Sequence, residues 1–131
     1  MKKTLLQQCL RIAIKNNTPM NHRRYGWYHH FSFVIQFNKI VEWGTNAAGK
    51  DIYSHFYAET ALIHSECAAF KRAKGLLDRS KPFDMVNIRL NRQDELRNSK
   101  PCKCCLAFLS LFNCNKVYFT SRNDFDFVRI S

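Results

Sequence analysis

The sequence has no apolar run approaching the ~20 residues a helix needs to cross a bilayer. Its opening Met1-Lys2-Lys3 leads into a segment interrupted by polar side chains, not into an apolar core with a small-residue cleavage site. Without a membrane span or a secretory leader, the expectation is a soluble protein of the cytoplasm, a reducing compartment. Acid is also scarce. Lys2, Lys3, Arg11, Lys15, Arg23, Arg24 and Lys39 all precede the first carboxylate, Glu42, and the formal net charge is +11. That balance favours polyanionic or phosphorylated partners, although a surface made basic for solubility alone has the same composition. A secreted disulfide framework is not expected from the six cysteines either. Cys102, Cys104 and Cys105 crowd together as metal ligands do, and Cys9, Cys67 and Cys114 read as small buried side chains.

At 131 residues, 46% of them hydrophobic, the chain can form one packed domain without covalent staples. Apolar positions at Leu5, Leu6, Cys9, Leu10, Ile12, Ala13 and Ile14 predict an amphipathic helix with Thr4 as its cap, stopped by Asn16-Asn17-Thr18-Pro19. Next comes Asn21-His22-Arg23-Arg24-Tyr25-Gly26-Trp27-Tyr28, basic and aromatic together. Such a segment either follows a nucleic-acid strand, with Arg23 and Arg24 on phosphates and Trp27 stacked on a base, or forms a surface loop whose rings cover the core edge.

Residues 30–37 and 40–44 read as strands joined at Asn38-Lys39 in a hairpin, with Gly44 relieving the backbone at the end of the second. After a loop containing His55, residues 60–77 read as a helix, with His64 in its first turns. Residues 83–90 are a strand, 91–100 a polar loop, and Pro101 the first turn of another helix carrying Leu106, Phe108, Leu109 and Phe112 inward. Strands over 116–120 and 125–130 complete the chain. The four polar residues between them, Ser121 to Asp124, are too few to hold a helix.

Chemistry concentrates in two short stretches, His64-Ser65-Glu66 and Pro101-Cys102-Lys103-Cys104-Cys105. One imidazole and two thiolates make three ligands of a tetrahedral zinc site, with the fourth position left for water, as a catalytic zinc requires. Cys102 and Cys105 are one helical turn apart, so both thiols point the same way, and a helix N-terminus favours their thiolate forms. Spacing alone also permits Cys104 in place of Cys105. Glu66, two residues from His64, is placed to move protons at the metal centre and is a poor fourth ligand for that reason.

The paired motif resembles that of the cytidine deaminase-like superfamily, in its His-ligand branch, over residues 29 to 131. That resemblance implies an α/β fold, a three-layer α-β-α sandwich around a five-stranded mixed sheet of order 2-1-3-4-5. Here the last two strands should form an antiparallel hairpin, a departure from the usual free-nucleotide and tRNA deaminases with a His ligand. One domain is expected, with 1–28 forming a helix and basic-aromatic loop before a deaminase core at 29–131. The resemblance further implies Zn2+ as cofactor and hydrolytic deamination of a cytosine-type base by zinc-activated water, with Glu66 as proton shuttle. Asn46 would contact the substrate's sugar, and backbone groups around Ser99 its amino group. Charge and the Arg23–Trp27 segment favour cytosine in single-stranded DNA or RNA. Free cytidine, CMP or dCMP is the alternative, followed by adenine in RNA or a non-catalytic zinc module, against which Glu66 argues.

Overall fold

A computed structural model describes residues 1–18, 29–48 and 62–130 of the chain. Helix α1 (Lys3–Asn16) buries Leu5, Cys9 and Ala13, a stripe narrower than the apolar face offered by the sequence, and Ile14 is left exposed. Lys2 and not Thr4 is the N-cap, and no side chain closes that end.

Strands β1 (His29–Gln36) and β2 (Lys39–Thr45) pair antiparallel. Their turn is Phe37–Asn38, one residue earlier than expected, with φ of 53° and 59°. Two successive left-handed residues give the primed turn whose twist suits a two-residue hairpin. Asn38 tolerates that backbone readily, while Phe37 adopts it with its ring in solvent.

Further along are β3 (Ala47–Ala48), β4 (Leu62–Ile63), α2 (Ser65–Ala73), β5 (Phe83–Leu90), β6 (Leu96–Arg97), α3 (Lys103–Ser110), β7 (Cys114–Thr120) and β8 (Phe125–Arg129). The main sheet runs β2-β1-β5-β7-β8, and β6 pairs with β5. In chain order its long strands are arranged 2-1-3-4-5, as expected. β5 and β7 are parallel, and β7 and β8 antiparallel. The sheet nevertheless has six strands, not five, because Leu96–Arg97 pairs with Arg89–Leu90 from within the apparent loop. Two residues are too few for strand alternation to show in the sequence. β3 and β4 form a separate two-stranded sheet.

Alternation along β1 divides the core into two layers. Phe31 and Phe33 join Val86, Ile88 and the α1 stripe on one face, while Val34 joins Met85, Val117, α2 and α3 on the other. On that second face Phe70 of α2 stacks on Phe83, meets Phe108 of α3 edge-on at 5.6 Å and lies 4.5 Å from Phe112. Each such aromatic pair adds ~0.5–1.5 kcal/mol beyond burial. Together they hold α2 against α3, which brings their N-termini to one place. Among the described residues no helix is long and apolar enough to cross a membrane.

Candidate metal centre

Helix α2 is shorter than the 60–77 expected. Its first residue is Ser65, and His64 is the N-cap, with extended backbone (ψ 146°) and its carbonyl accepting from Ala68 N. Cys102 is the N-cap of α3, and there the side chain takes part, its sulfur accepting from Cys105 N at 3.4 Å. Two helix N-termini therefore carry the candidate ligands, with their positive dipole ends towards the thiols.

His64 Nδ1 lies 3.4 Å from Cys105 Sγ and 4.0 Å from Cys102 Sγ. All three ligand atoms lie within 4.8 Å of one another. Tetrahedral zinc with its usual bond lengths needs N–S separations of about 3.6 Å, a value these distances bracket. Soft thiolates with an imidazole are a donor set that suits zinc. Hydrogen bonds from Cys105 and from His64 take the Cys102 thiol down to about 3, so it is held as the thiolate that a metal requires. The hydrogen bond to Cys102 raises His64 in turn, against the effect of burial, and the Glu66 charge adds to the rise. Cys104 is exposed on the first turn of α3 and stands outside the cluster.

Glu66, two residues on from His64, is 6% exposed. Its Oε1 accepts from Ser65 Oγ at 3.1 Å and its Oε2 from Asn87 Nδ2 at 3.0 Å. Ser32 Oγ donates to Asn87 Oδ1 at 2.7 Å and also lies 2.7 Å from Ser65 Oγ. Sequence reasoning passed over Ser32, Ser65 and Asn87. Ser32 and Asn87 each carry one signal, a polar side chain between two apolar neighbours, Phe31 and Phe33 for the first and Val86 and Ile88 for the second.

The hydroxyl of Ser99 is committed elsewhere, donating to Asn87 O at 2.8 Å and meeting Thr120 Oγ1 at 2.8 Å and Thr120 N at 2.7 Å. Its carbonyl accepts from Asn87 Nδ2 at 3.3 Å. Ser99 thus ties the segment before Cys102 to the carboxyl ends of the parallel strands β5 and β7, where open α/β sheets bind ligands. Asn46 is buried and clasps His30, whose N–H donates to Asn46 Oδ1 at 3.1 Å. Burial pushes His30 down to about 4, and the positive charges of Arg89, His29 and His64 act in the same direction. Arg23, Arg24, Trp27 and His55 lie outside the described residues.

Fold and cluster define a class: a three-layer α/β domain presenting three candidate metal ligands and a buried carboxylate at converging helix ends. No protein-family model matches the sequence, and no curated protein does. Solved structures do. The chain is similar to the dCMP deaminase of the cyanophage S-TIM5 in apo form, with TM-score 0.61 and 14% identity over 95% of this chain and 88% of that one. The same enzyme in complex with dCMP and dUMP gives 0.57 and 13% over 89% and 81%. A cytidine deaminase from Burkholderia pseudomallei gives 0.64 and 14% over 99% and 94%. The fold is the cytidine deaminase-like fold.

Proposed function

We propose that this chain is a zinc-dependent hydrolytic deaminase of a cytosine-type base. The observation that carries the reading is the convergence of His64, Cys102 and Cys105 beside a buried Glu66. His64 Nδ1, Cys102 Sγ and Cys105 Sγ would hold the zinc. Its contribution when bound is Lewis acidity, which makes water nucleophilic at neutral pH.

The chain's own residues supply the proton handling. Two hydroxyl protons, from Ser32 and Ser65, serve three oxygen–oxygen contacts: Glu66–Ser65, Ser65–Ser32 and Ser32–Asn87. With Glu66 ionised, one contact lacks a proton. When the carboxyl takes a proton at Oε1 it donates to Ser65, Ser65 donates to Ser32, and Ser32 to Asn87 Oδ1. Each contact then holds one proton. The surroundings of Glu66 thus accommodate both of its protonation states. Glu66 would take one proton from water and deliver it to the ring nitrogen, then carry the hydroxyl proton of the adduct to the amino group, which leaves as ammonia.

For the substrate we favour cytosine in single-stranded DNA or RNA. The net charge of +11 supports this reading. So do Arg89 and Arg97, cations adjacent across two strands. Arg97 also lines a cleft of about 680 Å³, together with Arg122, Asn123, Glu95 and Leu96. A free nucleotide is the second reading, favoured by the likeness to an enzyme in complex with dCMP and dUMP.

Product analysis by mass spectrometry after incubation with cytidine, CMP, dCMP, tRNA and single-stranded DNA and RNA oligonucleotides tests both. Uracil in the oligonucleotides is expected, and log affinity should fall with log salt by about 0.7 per phosphate neutralised. Arg97→Gln and Arg122→Gln should each flatten that slope. Turnover of dCMP with no oligonucleotide binding at low salt decides for the free nucleotide, and inosine in tRNA decides for adenine.

A further inference from the structure

Resting on the deaminase reading above, we propose that Asn87 positions the Glu66 carboxylate and that Ser32 holds Asn87 in the orientation this needs. A glutamate side chain has three rotatable bonds, and at the N-terminus of α2 its own backbone fixes none of them. Burial narrows the choice, but hydrogen bonds to both oxygens determine where the carboxylate plane lies.

The bond to Oε2 comes from the sheet, from Asn87 on β5. Asn87 is 3% exposed, and its amide is fully engaged: Oδ1 accepts from Ser32 Oγ, and Nδ2 faces both Glu66 Oε2 and Ser99 O. Turning the amide over would set its oxygen against two acceptors and its NH2 against the group that now donates to Oδ1, so one orientation survives. Ser32 and Asn87 are direct partners in the β1–β5 register, and cross-strand neighbours on one face keep their side chains within reach. The carboxylate is thus referenced to the rigid centre of the sheet, and through Ser99 to the segment that carries Cys102. Neither Asn87 nor Ser32 belongs to the metal-ligand cluster.

Placement of this kind is where small displacements matter, since a 1 Å error at a reacting group can cost about 100-fold in rate. Asn87→Ala should therefore lower kcat by about 10–100-fold with KM nearly unchanged and zinc content retained. Ser32→Ala, a milder change, should do the same to a smaller extent and serves if Asn87→Ala does not fold. The decisive arm is the double variant Asn87→Ala/Glu66→Gln, which should be no slower than Glu66→Gln alone, because a residue acting through Glu66 has nothing left to position. A residue important only for the fold would slow both backgrounds equally.

The same cycle read by urea unfolding requires no turnover. The midpoint shift of the double variant should be smaller than the sum of the two single shifts. Strict additivity in both readouts, or a normal kcat in folded Asn87→Ala, overturns the proposal. If Glu66→Gln alone leaves turnover intact, it is the deaminase mechanism that fails, while the unfolding cycle still reports whether Asn87 holds Glu66.

Discussion

Gly44 occupies a place where β2 and α2 come into backbone contact, and replacing it by alanine should disturb both the fold and the candidate site. A Cβ added there would lie 2.7 Å from Ala69 N, 2.9 Å from Ala68 C and 3.0 Å from Ala68 Cβ. The first two are backbone atoms of a helix, and no side-chain rotation can relieve them. Either β2 moves or α2 does. Overpacking of this kind costs ~1–3 kcal/mol, and a backbone obstacle argues for the upper end. For a domain of this size that is a fall in Tm of about 4–12 °C. Since Ala68 N is bonded to the His64 carbonyl, a shift of α2 also moves His64 and Glu66. Differential scanning calorimetry with zinc analysis on Gly44→Ala and Gly44→Ser would read both effects. A Gly44→Ala protein whose Tm falls by less than about 2 °C and whose zinc content is full would refute the close-approach reasoning.

Two further predictions address the ligands and the electrostatics. Purified protein should carry about one zinc per chain; His64→Ala, Cys102→Ala and Cys105→Ala should each lose it, and Cys104→Ala should keep it, as measured by elemental analysis. Full zinc in Cys102→Ala with loss in Cys104→Ala would place the metal on Cys104 instead of Cys102. His30 has a folded-state pKa of about 4, below the ~6.5 of an open chain. As pH falls from ~6.5 the unfolded chain takes up a proton that the folded one refuses, so stability present above ~6.5 is lost on the way to 4, by about 3 kcal/mol. Urea midpoints across that range should fall more steeply for the wild type than for His30→Gln, and equal slopes would contradict the assignment.

The long elements were legible because each has a clear period. Phe31-Ser32-Phe33 alternates, Leu5, Cys9 and Ala13 recur at helical spacing, and the four polar residues at 121–124 excluded an intervening helix. Boundaries were less legible. The Ala-rich run around α2 carries helical periodicity through His64, yet His64 is extended, because a residue that caps a helix leaves helical backbone. The ligand cluster was legible from chemistry and spacing, since an N-capping Cys102 and a Cys105 one turn on can hardly point apart. The Ser32–Ser65–Glu66–Asn87 ring was not. Its members come from three separate stretches, two strands and a helix, and only the β1–β5 register sets Ser32 opposite Asn87.

The most direct measurement pairs product formation with metal content in wild type and Glu66→Ala, on whichever cytosine substrate the product analysis identifies. Glu66 is not among the ligand atoms of the cluster, so the variant should keep its zinc and its fold. Its rate of uracil formation should nevertheless fall by roughly 10²–10⁴-fold, the span of a positioned acid–base group. A Glu66→Ala protein that retains zinc and still converts cytosine to uracil at the wild-type rate would contradict the account.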